Sequence, residues 1–144
     1  MFVSFASPQS VQVEVWIKHL ETASYRCFFS DKSIGFSKDW AEEIWSAMRV
    51  CCCFMPVVTP AWTHSRWCAY EFGAALVLNK PIVPIIVGKV RAPQPLTAKQ
   101  GFTIGRASDL IALNERNPKL WQRITRELRK LCYRDRDVHK PPSA

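Results

Sequence analysis

Short apolar runs alternate with amphipathic stretches along this chain, and the spacing predicts strands and helices in turn. Residues 2–5, FVSF, read as a short strand. Residues 7–10, SPQS, read as a turn with Ser10 as a helix N-cap. An amphipathic helix is expected over residues 11–22, with Val11, Val15, Ile17 and Leu20 among its apolar positions. Residues 25–29 form a second strand, and the polar residues 30–38, SDKSIGFSK, form a loop with Gly35 as its flexible point. A second helix follows over 39–49, where Trp40, Ile44, Trp45 and Met48 share one side.

The run over residues 50–59, VCCCFMPVVT, is apolar throughout. A run without alternation suggests a strand covered on both faces, at the centre of a parallel sheet. Pro60 suits the start of a helix over residues 59–78. Residues 81–87, PIVPIIV, form a fourth strand that Gly88 ends, and 89–101 read as a loop. Residues 102–113 are ambiguous and include room for a short edge strand. The last helix is expected over 118–133, with Trp121, Ile124, Leu128 and Leu131 as its apolar stripe. Strand-helix alternation of this kind predicts an α/β fold, a parallel sheet with helices on both faces. Sites in such folds lie outside the carboxyl ends of the strands, at a switch in strand order.

At 144 residues the chain fits one domain with a real core. We expect the domain proper over 1–135 and a basic, Pro-containing tail over 136–144. No run approaches the roughly 20 apolar residues of a membrane span, and the N-terminus lacks the pattern of a secretory signal. Six cysteines occur, at 27, 51, 52, 53, 68 and 132, with no CxxC pair. This predicts that Cys51, Cys52 and Cys53 are buried and reduced in a strand of a cytoplasmic protein. The missing ligand spacing also argues against zinc, so no metal is expected. The net charge of +8 is concentrated in the last helix, from Arg123 to Lys140. That block reads as the solvated face of a terminal helix. No stacking aromatics interleave with it, which argues against nucleic acid as a partner.

Candidate chemistry centres on Trp67 and Glu71. In WCAYEFGAALVL, residues 67–78, Glu71 is the only charged residue. On a helix the two side chains stand one turn apart on one face. A carboxylate in such a run is expensive to bury without a partner, and desolvation raises the pKa of such a group. The alternative is a helix entering from solvent, with Glu71 at its exposed margin. His64 and Cys68 are also four apart, but no third orienting group for a nucleophile pair is identifiable.

Taken together, FVSFAS at the start, residues 31–40 with Gly35 and Trp40, Thr59-Pro60 followed by Ser65-x-Trp67-Cys68-x-x-Glu71, and PIVPI at 81–85 resemble a TIR domain. The resemblance extends from Phe2 to about Tyr133. It implies a flavodoxin-like three-layer fold with a central, mostly parallel sheet of about five strands. Residues 31–40 match the family's BB loop. Some members of this family self-associate as adaptor modules in innate immune signalling. Others are enzymes that cleave the nicotinamide-ribose bond of NAD, with a glutamate of the third helix in a Trp-x-x-x-Glu setting. Trp67 and Glu71 occupy those positions here. Enzymatic members often carry an Arg just after the first strand, where this chain has Ala6-Ser7.

The implied reaction develops positive charge on the ribose, which Glu71 would stabilise. Trp67 and Phe5 would flank the substrate. Ser7, Ser10 and the first helix N-terminus would meet its phosphates, with Lys32, Gly35 and Lys38 contributed by the BB loop. NAD would be substrate rather than cofactor, since neither Gly-x-Gly-x-x-Gly nor a P-loop is present. The expected partners are other copies of the domain and other TIR domains. The alternative function is a non-enzymatic adaptor acting through TIR-TIR contacts.

Overall fold

The computed structural model describes residues 1–29, 38–96 and 101–138, without the side chains of Lys38 and 133–138. Four parallel strands make the sheet, in the order β1 (Phe2–Ser4), β2 (Phe54–Val58), β3 (Ile85–Val87) and β4 (Phe102–Ile104). The expected strand over 25–29 is reduced to one parallel bridge, Phe28 to Phe2, on the free side of β1. Phe28 accepts from the Val3 amide at 2.8 Å and donates to Met1 O at 2.9 Å. Counting that segment, the chain order across the sheet is 2-1-3-4-5, as in the flavodoxin-like arrangement. The switch in order lies between β1 and β2.

Helices cover both faces. Val3, Met55, Val57, Ile85, Phe102 and Ile104 face α1 (Ser10–Thr22) and α6 (Pro118–Val138), through Trp16, Leu20, Ile124 and Leu128. Phe2, Phe54 and Val58 face α2 (Lys38–Val50), α3 (Pro60–Thr63) and α4 (Arg66–Val77), through Ile44, Met48, Trp62 and Phe72. Alternate residues of β2 thus enter two separate cores, which is why its sequence is apolar without alternation.

Several expected boundaries move. The stretch 50–59 is a strand only from Phe54, and Cys51, Cys52 and Cys53 lie in the connection before it. The expectation that all three are reduced fails at Cys52, which is disulfide-bonded to Cys132 on α6. The stretch 81–87 becomes a bridge at Ile82 and a strand from Ile85. Phe54 donates to Pro81 O at 2.8 Å and accepts from Val83 at 2.9 Å, so its amide points at this neighbour. Two residues on, Pro56 points the same way and has no N–H to give, which interrupts the ladder.

The expected N-cap at Ser10 gives way to a 3-10 turn over Ser7–Gln9, with Ser10 as the first residue of α1. Val11 is exposed, and the buried stripe of α1 is Val13, Trp16, Ile17 and Leu20. The helix expected over 59–78 splits in two because Ser65 caps a new start, its hydroxyl accepting from the Cys68 amide at 3.3 Å. The ambiguous stretch resolves into edge strand β4, a 3-10 turn over Ala107–Leu110 and α5 (Leu113–Arg116). The last helix continues beyond residue 133 to Val138. Its Arg126, Arg129 and Lys130 are exposed, as a solvated face requires.

Candidate functional site

β1 ends at the carboxyl edge of the sheet with Ser4, the one polar residue of FVSF, and its side chain turns to the face that α4 covers. There it meets Glu71. The Ser4 hydroxyl donates to Glu71 Oε2 at 2.5 Å, and it accepts from Trp62 Nε1 at 3.0 Å. An indole N–H is a donor only, so the single Ser4 proton must go to the carboxylate. Ser4 and Glu71 are fully buried and Trp62 nearly so. The exposed-margin alternative for Glu71 is therefore excluded.

Local sequence explains how these groups converge. Thr59 leaves β2 extended and caps α3, accepting from the Trp62 amide at 3.1 Å, while Pro60 supplies the first helical turn. The Thr59 hydroxyl also donates to Gln9 Oε1 at 3.1 Å, tying the β1 and β2 exits together. That short cap aims the Trp62 indole back across the switch point onto Ser4. Ser65 then restarts the chain as α4 and brings Glu71 to the same spot. The carboxylate is thus bonded by the Ser4 hydroxyl, which the Trp62 indole bonds in turn, beyond the strand ends where ligands bind in sheets of this topology.

Trp67 and Glu71 share α4 one turn apart, as expected. Trp67 is half-buried, and Trp40 of α2 meets it edge-on with ring centroids 3.9 Å apart. Trp40 also packs on Tyr70, whose hydroxyl accepts from Trp45 Nε1 at 2.7 Å. Part of the Trp67 ring is thus committed to the α2–α4 joint. Phe5 is buried and packs on Phe29 with centroids 5.7 Å apart. Ser7 is exposed and Ser10 partly so. Lys32 and Gly35 lie outside the described residues, and Lys38 is described only as the first residue of α2.

The His64–Cys68 pairing does not form on one helix. His64 ends α3, exposed, with Nδ1 2.7 Å from Pro60 O, while Cys68 is buried in α4. Sequence reasoning missed Ser4 and Trp62. The signal for Ser4 was a lone hydroxyl in an apolar strand, and for Trp62 an indole two residues after Pro60.

The family model for the TIR domain matches residues 1–129. No curated protein matches the chain.

Proposed function

The chain belongs to the TIR domain family, and from that premise we propose that it cleaves the nicotinamide-ribose bond of NAD with Glu71 as the catalytic carboxylate. The observation that carries this reading is the burial of Glu71 at the switch point, held by Ser4, which Trp62 holds in turn. In the proposed reaction the C–N bond breaks toward nicotinamide, which leaves neutral with the bonding pair. Water then attacks the ribose carbon and loses a proton, giving ADP-ribose. Attack by the adenine ring of the same molecule gives the cyclic isomer instead. Glu71 opposes the positive charge that develops on the ribose, and Ser4 fixes the direction of its carboxylate. Ser7, Ser10 and the start of α1 adjoin the same edge and are proposed to meet the phosphates.

A fully buried carboxylate cannot touch substrate without an opening step. We assign that step to self-association with other TIR domains, in which the BB loop takes part. The expected setting is cytoplasmic innate immune or cell-death signalling. Among the described residues, no helix is long and apolar enough to cross a membrane.

The same burial favours a second reading. Ser4, Trp62 and Glu71 also serve as a polar staple between β1, α3 and α4 in a non-enzymatic adaptor that works through TIR-TIR contacts. One experiment separates the two. The purified domain is incubated with NAD at high protein concentration, and nicotinamide is measured by chromatography. We expect release, and at least a hundredfold loss in Glu71→Gln with an unchanged circular dichroism spectrum, the scale of losing one transition-state electrostatic partner. Equal turnover in wild type and Glu71→Gln removes Glu71 from the mechanism. Absence of release at any concentration leaves the adaptor.

A further inference from the structure

The opposite edge of the sheet, where the strands begin, gathers cysteines. Cys52 and Cys53 lead into β2, and Cys132 arrives from α6, 80 residues later. The sulfurs of Cys52, Cys53 and Cys132 all lie within 4.8 Å of one another. Cys53 is fully buried, and the other two are partly exposed. We propose that Cys52, Cys53 and Cys132 form a binding site for a single thiophilic metal ion, open to loading when the Cys52–Cys132 bond is reduced.

Geometry supports the assignment. Zinc-sulfur bonds of about 2.3 Å in a tetrahedron place sulfurs about 3.8 Å apart. In the oxidised chain the disulfide holds Cys52 and Cys132 closer than this with Cys53 beside them, and reduction frees side-chain rotation to open the three sulfurs to that spacing. The backbone is held ready on both sides. Cys53 enters the central strand of the sheet, and α6 is anchored by Ile124 and Leu128, both fully buried. An all-sulfur set selects zinc, cadmium or Cu(I) over hard cations. A fourth position would face a cavity of about 550 Å³ beside the site, lined in part by Cys27, Cys51, Cys52 and Cys132. Solvent or an added thiol would complete a tetrahedron there. Nothing in this edge overlaps the Ser4–Glu71 network, which sits beyond the strand ends.

The chemistry balances. A phosphine reductant and water convert the disulfide to two thiols and become phosphine oxide. A divalent ion then displaces three thiol protons to give a tris-thiolate complex, so uptake releases acid. In the oxidised protein one thiol of the three remains, too few for a stable site.

The test is titration of phosphine-reduced protein with Cd(II), following the ultraviolet sulfur-to-cadmium charge-transfer band and proton release. We expect saturation at one ion per chain, at least tenfold weaker binding in Cys53→Ser and in Cys132→Ser, and no comparable uptake by the oxidised protein. Cys132→Ser lies on a partly exposed helix face and guards against a folding failure in Cys53→Ser. Failure of the band to appear in fully reduced wild type overturns the site. Binding of wild-type strength in both variants overturns it equally and leaves Cys52–Cys132 as a disulfide alone. Nicotinamide release plays no part in this readout, so the site and the proposed NAD chemistry fail independently.

Discussion

Ser4→Ala is the most direct probe of the buried network. The substitution keeps the backbone and Cβ of β1 and deletes one oxygen. Two hydrogen bonds go with it, the 2.5 Å bond to Glu71 and the 3.0 Å bond from Trp62. A hydrogen bond to a charged group contributes about 1.5–3 kcal/mol, and a buried donor left unsatisfied costs about 1–3 kcal/mol. The two losses share one site and relax together, so the expected cost is about 3 kcal/mol rather than their sum. For a chain of this size that corresponds to a fall in Tm of roughly 9 °C. Urea unfolding followed by tryptophan fluorescence measures it, with an unchanged slope showing that the denatured state is the same. A double-mutant cycle with Glu71→Gln should return a coupling of about 1 kcal/mol, because the amide accepts the Ser4 bond without the charge. A loss in Ser4→Ala below about 0.5 kcal/mol, or a coupling near zero, would refute the claim that Ser4 holds the carboxylate. Under the proposed NAD cleavage, Ser4→Ala should lower kcat more than it raises KM, since Ser4 bonds the Glu71 carboxylate.

Two further outcomes are expected. Specific activity should rise with protein concentration, and Gly35→Pro should lower it without altering Glu71; flat specific activity across a hundredfold dilution, with Gly35→Pro as active as wild type, would remove the assembly requirement. Burial pushes the Cys27 thiol up to about 12, against the nearby N-terminal ammonium, so site-resolved alkylation of the native protein near pH 8 should leave Cys27 slow and accelerate it steeply in strong alkali. The raised value also means that Cys27 contributes stability below about pH 9 that is lost as pH rises toward 12, and Cys27→Ala should flatten that decline in alkaline urea titrations.

Most of the layering was legible because each helix carries its own periodic stripe. Trp40, Ile44 and Met48 on α2, and Ile124 and Leu128 on α6, are buried as their spacing requires. Strand limits were less legible. The apolar run 50–59 contains Pro56, and a missing amide matters only once its direction relative to β3 is known. The division of 59–78 into α3 and α4 was present in Ser65 as a cap, but an apolar run around it reads as one continuous helix. Glu71 stood out as a lone charge, whereas Ser4 lies 67 residues from it and Trp62 lies 58 from Ser4, and only the fold joins them. The cysteines misled for the same reason. The absence of CxxC spacing says nothing about Cys132, which α6 returns to Cys52 across 80 residues.

A parallel sheet separates strand starts from strand ends, and this chain gathers different side chains at the two edges. At the carboxyl edge, Ser4, Trp62 and Glu71 form a buried polar network against the α2–α4 layer. At the amino edge, Cys27, Cys51, Cys52 and Cys53 precede their strands, and Cys132 reaches them from the α1–α6 layer. The two centres therefore differ in edge, and the helices that supply Glu71 and Cys132 lie on opposite faces. A change in the Cys52–Cys132 junction acts first on how α6 sits against Met55 and Val57. Between that layer and Glu71 stands β2, whose side chains are buried on both faces. The redox or metal state of the amino edge thus bears on the anchoring of α6, and the direction of the Glu71 carboxylate rests on Ser4.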